Sequence, residues 1–167
     1  YGFKNAPHRK GKSMTVPVTE PLRRSAAVVL LTVLAAYTST AEAAATYTMY
    51  RDPHCGCCES WAAHIRSNLK ARVAIVDAPD MGRVKDAKSV PQNLRSCHTM
   101  MADGYVIEGH VPARDVARLL RQKPPGVSGL AVPGMPLGAP GMEMGNQTQH
   151  YQVIAFGPTG RQVFASY

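Results

Sequence analysis

The sequence predicts an α/β domain, a central mixed sheet flanked by helices. Three observations carry that expectation. A short β-branched and aromatic run leads through a cysteine-rich loop into a helical stripe, a second apolar run follows, and an Asp-Gly turn later joins two short strands.

The elements follow in order. Residues 46–50 read as a strand, which Arg51-Asp52-Pro53 ends. From Cys58 the residues Trp61, Ile65 and Leu69 recur every four positions, with Ala62 beside them, as the buried face of a helix requires. Residues 71–77 read as a well-buried second strand, and 81–88 as a short helix. Pro91 opens a polar turn. Residues 97–109 form a hairpin about Asp103-Gly104. Pro112 sits near the first turn of another helix, whose inner face is Val116, Leu119 and Leu120 and which Pro124-Pro125-Gly126 stops. Residues 124–150 make a long Gly/Pro/Met-rich loop of no regular period. A closing hairpin spans 151–156 and 161–165. There is no internal repeat. This order fits a thioredoxin-like domain.

The chain divides at Ala43. From Met14 onward it reads as a cleavable secretory leader: Arg23 and Arg24 supply the basic region, residues 26–36 the apolar run, and Ala41-Glu42-Ala43 a cleavage site of A-x-A type. The apolar run is too short to span a bilayer, so no stable membrane span is expected once the leader is removed. Residues 1–13 precede an internal methionine and are set aside. Domain assignment is therefore 1–43 for extension and signal peptide, and 44–167 for the thioredoxin-like, metal-binding domain. The formal net charge is +8, but residues 1–43 hold six Lys/Arg against two Asp/Glu, so half of it belongs to the leader. What remains has no long basic run, which argues against nucleic acid as a partner.

Export would place four cysteines in an oxidising compartment, where structural cystines are the default. Asp52-Pro53-His54-Cys55-Gly56-Cys57-Cys58-Glu59 fits that default poorly. Adjacent Cys57 and Cys58 cannot bridge without distortion, and a cluster this tight closes almost no loop. Two other patterns overlap there. Cys55 and Cys58 form a C-x-x-C at a helix start, where exposed N–H groups and the dipole favour a thiolate. Cys55 and Cys57 form a C-x-C whose Gly56 lets two sulfurs converge. Closely packed thiolates suit Cu(I), which accepts few and shared sulfurs, better than zinc, which favours four separate ligands.

The fourth cysteine, Cys97, adjoins His98. In a regular strand the two would point to opposite faces, so only a turn or bulge lets both reach one ion. Cys97 is the preferred ligand, with His98 a further candidate. His54 and His110 are weaker ones. His64 lies ~10 Å along the helix from Cys57 and reads as a surface or packing residue. Met135, Met142 and Met144 fall in the irregular loop, where thioether ligation competes with gap filling; Met135 and Met142 are retained as supplementary ligands.

Several separated stretches, taken together, resemble the CopG-like bacterial metal-binding proteins. These are Cys55-Gly56-Cys57-Cys58 with Trp61, Val90-Pro91, Ser96-Cys97-His98-Thr99, Gly104-Tyr105, Glu108-Gly109-His110-Val111-Pro112, and Gly129 to Pro136 with Gly138, Pro140, Gly141, Met142 and Glu143. The resemblance covers nearly all of residues 47–165. It departs from the family pattern at Lys70-Ala71-Arg72, where many members carry a Gly-Phe pair. The resemblance implies a periplasmic copper-resistance protein of thioredoxin-like fold. It also implies Cu(I) held in a multinuclear, cysteine-bridged cluster by Cys55, Cys57, Cys58 and Cys97. Its partners would be copper ions and other periplasmic copper-handling proteins. The competing expectations are a thiol-disulfide oxidoreductase using Cys55 and Cys58, and a structural zinc domain.

Overall fold

Strand β1 (Thr46–Arg51) forms where the sequence alternates, burying Tyr47 and Met49 toward one side. The computed structural model describes residues 44–167 together with positions 2 and 11; the expected leader and its cleavage site lie outside the described residues. Helix α1 (Gly56–Leu69) starts directly on the cysteine run, with Cys55 at its N-cap. It buries Cys58, Trp61, Ala62 and Ile65, while Leu69, the last residue of the expected stripe, is only partly buried, and Lys70 ends the helix in the left-handed conformation. Strand β2 (Arg72–Asp77) returns parallel to β1, completing a β-α-β unit.

Helix α2 (Met81–Ala87) is capped by the Asp80 carboxylate, which accepts from the Arg83 N–H. A 3-10 turn, Gln92–Leu94, leads into β3 (His98–Ala102), which pairs antiparallel with β1 and with β4 (Tyr105–Glu108). Asp103 and Gly104 both take positive φ, as the tight two-residue turn between β3 and β4 demands. Helix α3 (Ala113–Gln122) follows, then β5 (Gly129–Ala131), parallel to β4. β6 (Gln152–Gly157) and β7 (Gly160–Ser166) close the chain as a hairpin.

The seven strands of the described residues form one mixed sheet in the order β2-β1-β3-β4-β5-β6-β7. This is the α/β architecture that the sequence predicts, and its β2-β1-β3-β4 portion is compatible with a thioredoxin-like arrangement. Helices α1 and α3 pack against each other, and Trp61, Ile65, Val111, Val116 and Leu119 are fully buried with Met49, Met100 and Ile107 of the sheet. Each such side chain removed from water contributes roughly 1.5–3 kcal/mol.

Two expectations are corrected. The strand expected to be well buried is an edge strand: among the described residues β2 pairs only with β1, Val73 is its one buried residue, and Val76 is exposed. Its apolar composition could not report an edge position, because neighbours in a sheet are set by topology. The segment 124–150 is also not wholly irregular, since β5 lies within it with all three residues buried. Three residues are too few to show a period. Gly129 is needed there: a Cβ would stand 2.1 Å from the Val106 carbonyl oxygen.

Candidate metal centre

The start of α1, the approach to β3 and the residues after β4 converge at one end of the sheet. Cys55 at the N-cap and Cys57 and Cys58 in the first turn bring three sulfurs to the helix N-terminus. Cys97 faces them from the other side. Ligand atoms of Cys55, Cys57, Cys58 and Cys97 all lie within 4.8 Å of one another. The two cysteine stretches do meet.

Cys55 and Cys58 are joined as a disulfide, while Cys57 and Cys97 are free. The sequence argument against a staple therefore holds for the adjacent pair but not for the C-x-x-C pair. One helical turn brings positions three apart onto the same face, within bridging distance. The free Cys57 Sγ lies 3.4 Å from Cys55 Sγ.

A second group shares Cys97. Its Sγ lies 3.1 Å from His98 Nδ1 and 3.1 Å from His110 Nε2. These three ligand atoms also fall within 4.8 Å of one another. Cys97 precedes the first residue of β3, so strand alternation does not force it away from His98; this is the departure from regular backbone that the sequence reading required.

The tautomer of His110 is set by its other nitrogen. Nδ1 lies 2.8 Å from the Pro140 carbonyl, which can only accept, so Nδ1 carries the proton and the Nε2 lone pair faces Cys97. His98 is fully buried, its ring 4.3 Å from that of Trp61, and its Nε2 has no hydrogen-bond partner among the described residues. Burial holds both imidazoles below their usual range, with His110 and Lys85 adding to the effect at His98. Burial also pushes the Cys97 thiol up to about 12, and the neighbouring Cys57 sulfur adds to that. Neutral imidazoles beside thiols are a donor set for a soft or borderline cation.

The segment after β5 straps this site in place. Gly134 is tied at both ends of its peptide, its N–H donating to Arg95 O and its carbonyl accepting from Ser96 Oγ. Pro140 holds His110, and Gly141 (φ +82°) lies against the first turns of α1. Met135 and Met142 flank these anchors; Met135 is half exposed and Met142 is more covered. Of the other candidates, His54 is exposed, its backbone N–H donating to Asp52 Oδ1, and it joins neither ligand group. His64 does more than fill surface: Nε2 accepts the Ala113 N–H at 3.0 Å, capping α3 from α1. Its spacing to Cys57 excluded it as a co-ligand, but nothing in the sequence showed that α3 starts beside it.

A short mixed-sheet protein with a cysteine run at a helix start, faced by a Cys-His pair and a second histidine, carries the donor groups of a small metal-binding protein. The chain belongs to the CopG family. It is similar to two solved structures named copper resistance protein CopG. Form 2 is 40% identical, with a TM-score of 0.70 over 75% of this chain and 99% of the other. Form 1 is also 40% identical, with a TM-score of 0.69 over 75% and 98%. A family described as a protein of unknown function, DUF411, matches residues 94–142, which span Cys97, His98, His110, Met135 and Met142. No curated protein matches.

Proposed function

We propose that the chain binds copper as Cu(I) in a multinuclear, thiolate-bridged centre and serves copper resistance outside the cytoplasm, after removal of residues 1–43. The observation that carries this is the position of Cys97 Sγ, common to the four-cysteine group and the Cys-His-His group. A sulfur shared between two ligand sets suits more than one soft ion, because thiolates bridge readily. Cys55, Cys57, Cys58 and Cys97 would hold the copper, with His98 and His110 at one flank and Met135 and Met142 as supplementary donors from the strap. The similarity to structures named for copper resistance supports copper over zinc. Among the described residues no helix is long and apolar enough to cross a membrane.

Full use of the four sulfurs requires reduction of Cys55–Cys58, which the structure holds as a disulfide. The test is an anaerobic Cu(I) titration of the reduced chain against a chromogenic chelator, with metal analysis. More than one tightly held copper per chain is expected, and less than one overturns the proposal. Stoichiometric zinc that copper fails to displace would replace it with a structural zinc domain.

The Cys55–Cys58 disulfide favours a second reading, thiol–disulfide exchange with other proteins. Insulin reduction that survives Cys57→Ser and ignores copper would establish it.

A further inference from the structure

Beneath the ligand groups lies a buried charge pair that supplies no ligand. Lys85 of α2 and Glu108 at the end of β4 are both buried, Glu108 completely. Glu108 Oε1 accepts from Lys85 Nζ at 2.6 Å and from the Ser96 backbone N–H at 2.6 Å. Its Oε2 accepts from Thr99 Oγ1 at 2.7 Å, and Lys85 Nζ also donates to Thr99 Oγ1 at 3.1 Å. The carboxylate is fully engaged on both oxygens.

Such a pair is a weak stabiliser, because desolvating the two charges offsets most of their attraction, and apolar side chains of similar volume often do as well. What apolar side chains could not do is accept the Ser96 N–H. Ser96 immediately precedes Cys97. Across the hairpin, the Gly109 N–H donates to His98 O at 2.9 Å, and a Cβ on Gly109 would lie 2.5 Å from Ser96 Cβ. One carboxylate thus fixes the backbone that carries Cys97 and His98 against the strand end that carries His110.

We propose that Glu108 is a positioning residue of the metal centre. It acts through the Ser96 N–H, and Lys85 and Thr99 orient its carboxylate. Charge-assisted hydrogen bonds are short and directional, and a ligand set misplaced by ~0.5 Å loses its geometry. Only the copper arm of the test below rests on the function proposed above.

Two double variants separate positioning from bulk stability. Lys85→Met/Glu108→Gln removes both charges and keeps an amide oxygen for the Ser96 N–H, whereas Lys85→Met/Glu108→Leu removes that acceptor as well. Each is examined in two ways, by Cu(I) affinity after reduction and by the rate at which iodoacetamide alkylates Cys97 in the metal-free, disulfide-closed protein, with the modified residue identified by mass. The Gln variant should stay within about threefold of the parent in both, while the Leu variant should lose about tenfold or more in affinity. Its Cys97 should also alkylate several-fold faster, because the sulfur is no longer held between His98 and His110. A folded Leu variant whose Cys97 reacts like that of the Gln variant overturns the proposal.

If the Leu variant does not fold, Ser96→Pro deletes the N–H itself and leaves the charge pair intact. Arg95 (φ −70°, ψ 146°) already has the extended backbone that a residue before proline needs. Ser96→Ala serves as the control for the lost hydroxyl contact to Gly134. Faster Cys97 alkylation in Ser96→Pro than in Ser96→Ala supports the proposal, and equal rates overturn it. Should the parent hold no Cu(I), the copper reading fails while the alkylation comparison still decides the positioning role.

Discussion

Substituting Gly141 by alanine probes the strap where it meets the cysteine helix. Gly141 sits at φ +82°, a left-handed conformation that costs an L-residue about 1–2 kcal/mol. Its new Cβ would lie 2.8 Å from Trp61 N, 2.9 Å from Cys57 O and 3.1 Å from Trp61 Cα. These are backbone atoms of α1 and cannot rotate aside. Overpacking of this kind adds about 1–3 kcal/mol, so the sum is about 2–5 kcal/mol if the strap stays in place. For a domain of this size each kcal/mol lowers the melting temperature by about 4 °C, so a drop of roughly 8–20 °C is expected by calorimetry or circular dichroism. A strap that yields instead carries Pro140 away from His110 Nδ1, and the loss then falls on His110-dependent metal binding. Either result places the strap against the helix. A variant within about 2 °C of the parent and with unchanged copper affinity would refute the reasoning, since both routes of relief would be absent.

Because Cys97 belongs to both ligand groups, Cys97→Ser should lower tightly bound copper per chain more than His110→Ala does, as measured by metal analysis after desalting; equal losses would contradict a shared sulfur. The Cys97 thiol, pushed up to about 12 by burial, carries its proton at neutral pH, and a metal must expel it. Copper affinity should therefore rise with pH, by about tenfold per unit for each proton released, and an affinity flat between pH 6 and 8 would refute this. His64, His98 and His110 are all held low by burial, so the unfolded chain takes up protons first as pH falls below the ordinary imidazole value of about 6.5. Stability from these groups is complete above that pH and lost below it, which a falling melting temperature between pH 7 and 5 would display. His64→Ala should cost about 1 kcal/mol at pH 7.5 by uncapping α3, and should flatten part of that acid dependence.

Much of the sheet and the heart of the site could be read from local signals. The stripe of Trp61, Ala62 and Ile65, the Asp103-Gly104 turn and the C-x-C-C run each act over a few residues, and short-range geometry decides them. What escaped depends on distant chain. β2 is at an edge because, among the described residues, no other strand pairs beyond it, which a strand's own composition does not encode. His110 gains standing from a carbonyl 30 residues away, and His64 from an N–H 49 residues away. The Glu108–Lys85 pair shows the same limit most plainly. Glu108 follows Ile107 in a short strand and Lys85 sits in a charged helix, and each alone looks like a solvated residue. Only the register of Thr99 against Glu108 and the approach of α2 to β3 bring them together below Cys97.

Trp61, the chain's one tryptophan, has its ring 4.3 Å from that of His98, and its Nε1 donates to Val111 O at 2.9 Å. The protein therefore carries its own optical gauge, fixed beside the Cys97-His98-His110 group and shielded from solvent. Any cation that settles beside His98 changes the surroundings of the sole indole emitter, so the order and speed with which the positions fill can be followed in real time, without a label, by stopped-flow fluorescence.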